Sequence, residues 1–361
     1  MRVESKKISF NKKECDFISV LRERVNSYFK NRRLSHKANA FMYVKSIFWM
    51  SLVAMTYTAI LSALGGGLTT LGLFILLGFF ISVGTMNISH DALHGAYASN
   101  PKVNRLLGFF MDLFGASSFY WKKEHVVDHH TFTNIIHHDA DLDVPILLRV
   151  CPEAPRHSFH RFQHIYAPFL YALNLMKWVY FSDFRRMYRV VKSWGKDPKN
   201  PSAFEFFMMA SFKCVHIFLF IALPIMVLPL MWWQTLLCYL AYLATAGVTL
   251  TTVFQLAHIV DGVSFPLPDE EGNMEENFVK HQLATTSNFA THNPVVKFFF
   301  GGLNFQVEHH IFPQYCHIHL SKISPIVERT AKEFGIPYYK QPSFIAAVRS
   351  HFRILREFGR R

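Results

Sequence analysis

The sequence predicts an all-α membrane protein with four transmembrane helices in two hairpins and a cytoplasmic, histidine-rich helical cap. Of its 361 residues, 51% are hydrophobic and 17% are charged, whereas a soluble domain usually carries about a quarter charged residues. The stretches 46–90 and 214–260 contain no Asp, Glu, Lys or Arg. The chain also has 20 histidines, and their placement along the sequence is uneven.

Each uncharged stretch is long enough for two helices, because a membrane-spanning helix needs roughly 20 apolar residues. The expected helices lie near 42–62, 69–89, 205–226 and 232–257. Three consecutive glycines at 65–67 predict the first turn, and Pro224 and Pro229 predict the second. Two buried hairpins of a soluble protein are the alternative, but no loop is long enough to form the surrounding protein.

The distribution of positive charge predicts the orientation. The first 40 residues hold eleven Lys or Arg, and neither predicted outer turn holds any. By the positive-inside rule, both termini and the long middle loop are cytoplasmic. The net charge of +13 indicates attraction to anionic lipid or to an anionic substrate head. Nucleic acid is not an expected partner, because no nucleic-acid-binding motif accompanies the charge.

The start of the chain and its cysteines indicate the compartment. The first 40 residues are charged and lack a small-residue cleavage site, so they do not resemble a signal peptide. The five cysteines are scattered and form no CxxC pair, which argues against a zinc site or a disulfide framework. A reducing compartment is therefore expected.

Two further apolar runs, 106–121 and 166–181, lie in the middle loop. Asp112 interrupts the first, and the second is short and contains Lys177. Both are interpreted as interfacial helices with aromatic side chains at the headgroup level. Four crossings rather than five also keep the early and late histidine clusters on one face of the membrane.

Three histidine clusters carry the functional signal. His90 and His94 are four residues apart, which places both imidazoles on one face of a helix, with Cβ atoms about 5–6 Å apart. The other two clusters are His125, His129 and His130, and His309 and His310. Imidazole suits several transition metals, whereas a zinc site needs about four ligands and usually includes thiolate or carboxylate. Seven imidazoles on one membrane face therefore favour a pair of iron ions with room for oxygen.

The motifs His90-x3-His94, His125-x3-His129-His130 and Gln306-x2-His309-His310 resemble the three histidine boxes of the membrane fatty acid desaturases. The resemblance covers roughly residues 40–320. It implies a non-haem di-iron centre that uses O2 to insert a cis double bond into an acyl chain.

Two residues extend the resemblance beyond the seven box histidines. Gln306 stands where a histidine is commoner, as in the front-end branch, which adds double bonds on the carboxyl side, and in a linoleoyl-CoA-desaturase-like bacterial group. It is therefore a further candidate ligand. His258, at the cytoplasmic end of the fourth helix, occupies a place where the family often has an additional histidine ligand.

Other polar residues near the boxes are weighed against plainer interpretations. Asp91 and Asp128 adjoin box histidines and are candidates to accept the second ring N–H, although solvent-facing carboxylates are nearly as well supported. A solvated loop is favoured over a supporting role for His137, His138, Asp139, Asp141 and Asp143. His281 and His292 are left unassigned.

The sequence does not identify the substrate-binding residues. Candidates for an acyl tunnel are Phe110, Phe119 and Trp121. Basic residues of the middle loop suggest an interfacial face, or contacts to the phosphates of acyl-CoA or phospholipid: Arg156, Arg161, Lys177, Arg185, Arg186 and Arg189.

The chain is expected to comprise a basic cytoplasmic segment, a desaturase domain and a cytoplasmic tail. Their ranges are 1–40, 41–320 (hairpins 42–89 and 205–257, cap 90–204 and 258–320) and 321–361. The implied substrate is a fatty acyl-CoA or a membrane acyl lipid. The chain is expected to be a multi-pass membrane protein with a cytoplasmic active site, and the bacterial inner membrane is favoured over the endoplasmic reticulum.

The electron source is expected to be a separate protein. The sequence shows no Rossmann fingerprint, no CxxC cluster motif and no His-Pro-Gly-Gly haem motif. It therefore differs from the many front-end relatives that carry a fused cytochrome b5 module. Ferredoxin, rubredoxin and free cytochrome b5 are the candidate donors.

Two rival functions remain open at this point. A lipid or alkyl hydroxylase of the same di-iron superfamily is hard to separate by spacing alone. A histidine-rich metal transporter is less well supported, because transporters place polar groups near the bilayer midplane. Here the predicted helices are almost bare of such groups, and the histidines gather at their ends.

Overall fold

The computed structural model describes residues 8–12, 16–142, 144, 146–192 and 202–361, with the backbone alone at 189–192. Cys15 and Asp143, and the side chain of Arg189, lie outside this description. The helices are α1 (Asp16–Asn31), α2 (Ala40–Leu61), α3 (Gly67–Leu93), α4 (Pro101–Leu113), α5 (118–132), α6 (163–192), α7 (Ala203–Val227), α8 (Trp232–His258), α9 (Phe278–Thr285), α10 (Pro294–Phe299), α11 (Gln306–Ile311), α12 (His317–Glu333) and α13 (Phe344–Phe358). Two short parallel strands pair, β1 (Ser287–Phe289) and β2 (Tyr339–Gln341).

Helices α2, α3, α7 and α8 are long and apolar enough to cross a membrane, with lengths of 22, 27, 25 and 27 residues. The prediction of four such helices is confirmed, and their observed ends lie within a few residues of the expected ones. Helix α3 runs on to Leu93, so His90 belongs to a membrane-length helix rather than to the loop after it.

Helix α8 is central, because α3 and α6 both pack against it. Two glycines allow close approach of the backbones. A Cβ atom added at Gly78 of α3 would lie 2.5 Å from the carbonyl oxygen of Tyr242, and one added at Gly247 would lie 2.6 Å from that of Tyr171 on α6. The apolar run 166–181 thus lies within α6 and packs along α8, whereas the run 106–121 is divided between α4 and α5.

Charged side chains that are buried or partly buried hold helix α5 in place. The carboxylate of Asp183 on α6 accepts hydrogen bonds from Lys213 of α7 (2.7 Å) and from the backbone N–H of Ser117 just before α5 (3.0 Å). Arg186, one turn further along α6, forms a bidentate ion pair with Glu124 on α5. Helix α5 is therefore anchored at its start and beside its histidines.

Both terminal regions of the described chain pack onto the rest of the protein. Phe17 and Leu21 of α1 are buried with Val327 and Ala331 of α12. Helix α12 also crosses residue 320, where the predicted boundary of the tail lies. His351 of α13 donates a hydrogen bond of 2.8 Å to the carbonyl of Ile259, directly after α8. Helix α13 thus contacts the chain where α8 ends, and α1 packs against α12.

Candidate metal centre

Eight histidines converge where α3 and α8 end, and all of them are buried. They come from α3 and the residue after it, from α5, from the end of α8, and from α11. The eight are His90, His94, His125, His129, His130, His258, His309 and His310. The structure thus brings together every histidine that the sequence singled out as a candidate ligand.

The imidazoles form two neighbouring groups. One ring nitrogen from each of His90, His94, His125 and His309 lies within 4.8 Å of the others. The second group, with the same limit, is His129, His258 and His310. His130 lies between the groups, with its ring centroid 4.5 Å from that of His94 and 4.2 Å from that of His310.

Unusual helical geometry orients two of the clusters. Residues 85–89 of α3, directly before His90, and residues 122–129 of α5 are π-helical. The rings of His125 and His129 stack with their centroids 5.1 Å apart and an interplanar angle of 21°. The pair therefore shares one face, as the spacing predicts, but on a π-helix. Such turns are rare and often occur at functional sites.

Hydrogen bonds at Nδ1 hold three of the imidazoles. The Nδ1–H of His129 donates to Asp139 (3.0 Å), and that of His258 donates to the carbonyl of Thr285 (3.2 Å). The Nδ1–H of His310 donates to Oε1 of Gln282 at 2.9 Å. Each contact fixes one tautomer, which leaves Nε2 with its lone pair available to a metal.

Asp139 corrects an expectation. The prediction that it belongs to a solvated loop is wrong, because it is only 2% exposed. Besides His129, it accepts backbone hydrogen bonds from Asn134 and Asp141, at 2.8 and 2.9 Å. The side chain of Asp141 is 42% exposed, and its carboxylate lies 3.4 Å from Nδ1 of His129.

The aspartates next to the boxes occupy different environments. Asp91 is buried, so a solvent-facing carboxylate is wrong there. Its Oδ1 lies 3.7 Å from Nδ1 of His90, and its Oδ2 accepts hydrogen bonds from the backbone and the ring of His317. Asp128 is half-buried on α5, and its supporting role stays a prediction.

The electrostatics favour neutral imidazoles. Burial, followed by repulsion from neighbouring imidazoles, lowers the pKa well below its usual value for His94, His125, His130, His309 and His310. His129 differs: burial alone would lower its pKa, but Asp139 and Asp141 raise it to about 9. A metal ligand must be a neutral imidazole, and a bound cation would displace the proton on His129.

The hydrogen bonding of the buried ring nitrogens indicates whether metal ions would fit in the cluster. Within the described part of the chain, both ring nitrogens of His90, His94 and His130 are buried without a hydrogen-bond partner. The same holds for Nε2 of His125, His309 and His310. Leaving a buried polar atom unsatisfied is costly, so such atoms call for an explanation. A cluster of neutral imidazole donors suits transition metals such as iron, and these residues fit two ions.

The structure places the remaining candidate residues, Gln306, His281 and His292, in different environments. Gln306 is buried at the start of α11, one turn before His309. His281 donates to the carbonyl of Thr133 at 2.8 Å and so supports the chain after α5. His292 is exposed. These two histidines are not among the eight that converge.

The ring of Trp121, a predicted tunnel residue, stacks on His125 with centroids 4.3 Å apart. Phe254 of α8 also contacts His125, at 5.5 Å between centroids, and sequence reasoning missed it. Phe110 and Phe119 instead pack with other hydrophobic groups, around Phe114 and Tyr120 respectively. Apolar aromatic rings therefore border the cluster on the side of α8.

Sequence reasoning also missed the groups that support the third histidine cluster. Glu308 is fully buried and accepts hydrogen bonds from Asn288 of β1 (2.8 Å) and from the hydroxyl of Tyr338 (2.6 Å). Burial raises the pKa of Glu308 to about 7. The sequence signal for Glu308 was its position directly before His309. No feature of the sequence indicates that Gln282 or Thr285 supports a histidine.

Comparisons of the sequence with a family profile and with individual known proteins identify the same family. Residues 66–342 match the sequence profile of the fatty acid desaturase family. An acyl-lipid (8-3)-desaturase of Physcomitrium patens is 35% identical over 95% of this chain and 72% of its own length. Two sn-1 linoleoyl-lipid 6-desaturases, from Synechocystis sp. and Arthrospira platensis, are 33% and 32% identical over 99% of this chain and 99% and 96% of their own lengths. The matched range contains all eight histidines.

Proposed function

The chain belongs to the fatty acid desaturase family, and we propose that it inserts a cis double bond into an acyl chain carried by a membrane lipid. The observation that carries this proposal is the convergence of eight buried histidines, of which seven form two groups with their ring nitrogens close together and the eighth, His130, lies between the groups. The relatives described above are named for acyl-lipid or linoleoyl-lipid substrates. We therefore favour a lipid-linked chain over acyl-CoA as the substrate.

The reaction removes one hydrogen from each of two adjacent CH2 groups and forms a double bond between them. One O2 accepts these two hydrogens together with two external electrons and two protons, and it leaves as two waters. Two iron ions, held by the eight histidines with Gln306 as a further candidate ligand, would supply the O2-activating chemistry.

The residues of the chain have distinct tasks in this proposal. Asp139, Gln282 and the carbonyl of Thr285 accept hydrogen bonds from the Nδ1–H groups of His129, His310 and His258, so that the Nε2 atoms of these three histidines would be free to bind the metals. Trp121 and Phe254 cover His125 with apolar surface, which keeps water away from the reacting part of the acyl chain.

The position of the new double bond is proposed from two observations. Gln306 replaces the commoner first histidine of the third box, as it does in front-end desaturases. Two of the relatives are named 6-desaturases. We therefore propose that the double bond forms in the carboxyl-side part of the acyl chain.

We also propose the orientation and the electron source. The eleven Lys or Arg among the first 40 residues favour a cytoplasmic location for the histidine-bearing ends of α3 and α8, in a bacterial inner membrane. A separate ferredoxin, rubredoxin or cytochrome b5 would deliver the electrons.

The relatives are named desaturases, so a hydroxylase and a metal transporter are not favoured.

A lipid profile tests this function. Cells that express the chain, with each candidate donor in turn, should make fatty acids lighter by two hydrogens. The double variant His309→Ala/His310→Ala should make none and should bind less iron. His292→Ala is the matched control, because that histidine is exposed, and it should keep the activity. Products heavier by one oxygen would identify a hydroxylase, and an active double variant would contradict the proposed site.

A further inference from the structure

Helix α13 has two opposite faces. Ala347, His351, Leu355 and Phe358 are buried on one of them. The other carries three exposed arginines, Arg349, Arg353 and Arg356, and a fourth, Arg360, is exposed in the turn directly after the helix. Spacings of four and three residues place the first three in one stripe along the helix, and Arg360 follows Arg356 by four residues. These four residues are called the arginine stripe.

Helix α13 lies beside the start of α6. Gln163 of α6 donates a hydrogen bond of 2.6 Å to the carbonyl of Leu355, and the hydroxyl of Tyr171 donates one of 2.7 Å to His351. Arg156, which precedes α6 and is exposed, donates to the carbonyl of Arg360 at 3.4 Å. The arginine stripe therefore continues onto the segment that leads into α6.

Few of these charges are neutralised inside the protein. Within the described residues, Arg353 is the member of the stripe with a carboxylate partner, Asp261, at 3.0 Å. The nearby Glu357 is paired with Arg361 at 2.7 Å. The stripe thus presents positive charge to a partner outside the fold.

Apolar side chains adjoin the arginines. Phe162, directly before α6, is 49% exposed, and Ile165 and Phe169 on one side of α6 are 60% and 72% exposed. Ile345 at the start of α13 is 62% exposed. Another side of α6 packs on the membrane-length helix α8, so Ile165 and Phe169 lie on the side turned away from α8. Arg161 stacks its guanidinium over Phe162 at 4.6 Å, which is a typical arrangement at a membrane surface.

We propose that Arg349, Arg353, Arg356 and Arg360, extended by Arg156 and Arg161, bind the phosphate groups of anionic phospholipids. Guanidinium groups bind phosphate through paired hydrogen bonds, and the exposed apolar groups beside them enter the same leaflet. The hydrogen bond from His351 to Ile259, next to His258, places the stripe at the histidine-bearing end of α8. Anionic lipid therefore fastens α13 and α6 to the membrane beside the metal centre.

A lipid titration of the full chain tests this surface without relying on its activity. Protein in dodecyl maltoside micelles is titrated with phosphatidylglycerol or with phosphatidylcholine, and the melting temperature is recorded. Phosphatidylglycerol should raise it at lower concentration than phosphatidylcholine. In the variant R349Q/R353Q/R356Q/R360Q, the half-maximal phosphatidylglycerol concentration should rise by at least about tenfold.

The matched control removes four exposed charges elsewhere, from α1, the turn directly after it and α12, in the variant R22Q/K30Q/R32Q/K332Q. It should keep the response of the unmodified chain. If the quadruple α13 variant does not fold, R349Q/R356Q, which spares the ion pair to Asp261, is used instead.

Equal responses to the two lipids, or equal losses in the α13 and control variants, would overturn the proposal. So would an α13 variant that binds lipid normally but is reduced more slowly by an acidic ferredoxin, because the stripe would then be a docking surface for the donor.

Discussion

At the scale of single residues, the contact between Asp139 and His129 is the most informative. Both groups are buried, and the carboxylate holds the imidazole by Nδ1 while accepting two backbone N–H groups. The backbone bonds fix the carboxylate, and the carboxylate fixes the ring. Asp139 therefore sets the direction of Nε2 without needing to touch a metal itself.

Replacing Asp139 should weaken metal binding. In Asp139→Ala, His129 loses the acceptor that fixes its tautomer, and we expect a loss of about 10–100-fold in iron affinity or activity. Iron per chain and the yield of unsaturated product measure this change. The control is Asp141→Ala, whose side chain is 42% exposed and should matter less. Equal losses in the two variants would contradict this role.

The sequence could predict the histidines but not what supports them. Spacing within a few residues marks each box, and it identified seven of the eight members, while family resemblance supplied His258. The partners of His129, His310 and His258 lie 10, 28 and 27 residues away in the chain. Such contacts depend on how α5, α9 and α11 pack, and local pattern carries no signal for them.

At the scale of elements, the close approach of α3 and α8 positions the centre. Gly78→Ala should force these helices apart, because its Cβ would lie 2.5 Å from a backbone oxygen that cannot rotate away. We expect a destabilisation of about 1–3 kcal/mol, measured as a lower melting temperature in micelles. Gly72→Ala on the same helix is the control, since its added Cβ meets nothing within 4 Å. Equal melting temperatures in the Gly78→Ala and Gly72→Ala variants would show that α3 and α8 accommodate the added methyl group without loss of stability.

Element boundaries were predictable where composition decides them. The four membrane-length helices follow from uncharged apolar stretches, and their observed ends differ from the expected ones by a few residues. The π-helical turns were not predictable, because the same residues suit an α-helix and only packing selects between them. Helix α6 continues well beyond the apolar run 166–181, and this extent also could not be predicted, because packing rather than local sequence determines it.

At the scale of the whole molecule, the histidine cluster couples the stability of the folded protein to metal binding. Its unpaired buried nitrogens destabilise the metal-free protein, so bound iron should raise the melting temperature. An ion at about 100 times its dissociation constant stabilises the folded state by roughly 2.7 kcal/mol. Chelation should reverse this effect, and added iron should restore it. The double variant His309→Ala/His310→Ala should respond weakly to both, and an equal response would place the stabilising metal elsewhere.

How the terminal regions pack could not be predicted from the sequence. The sequence predicts a basic amphipathic segment at 1–40 and a tail at 321–361, and in the structure these regions bury Phe17 with Val327 and pair β2 with β1. These contacts join residues far apart in the chain, such as Ser9 and Asn273, whose side chains lie 2.7 Å apart. Amphipathic patterns show that a helix has an apolar face, but they do not show which surface covers it.

The π-helical segment 122–129 constrains how this sequence can diverge. Removing one residue there would restore ordinary α-helical hydrogen bonding, but it would rotate everything beyond the gap by about 100°. His129 and His130 would then point away from the other six imidazoles. We therefore expect descendants of this chain to gain and lose residues freely in the glycine turn at 65–67, while the stretch from 122 to 129 keeps its length and its histidines, and changes only at positions that neither face the cluster nor anchor α5.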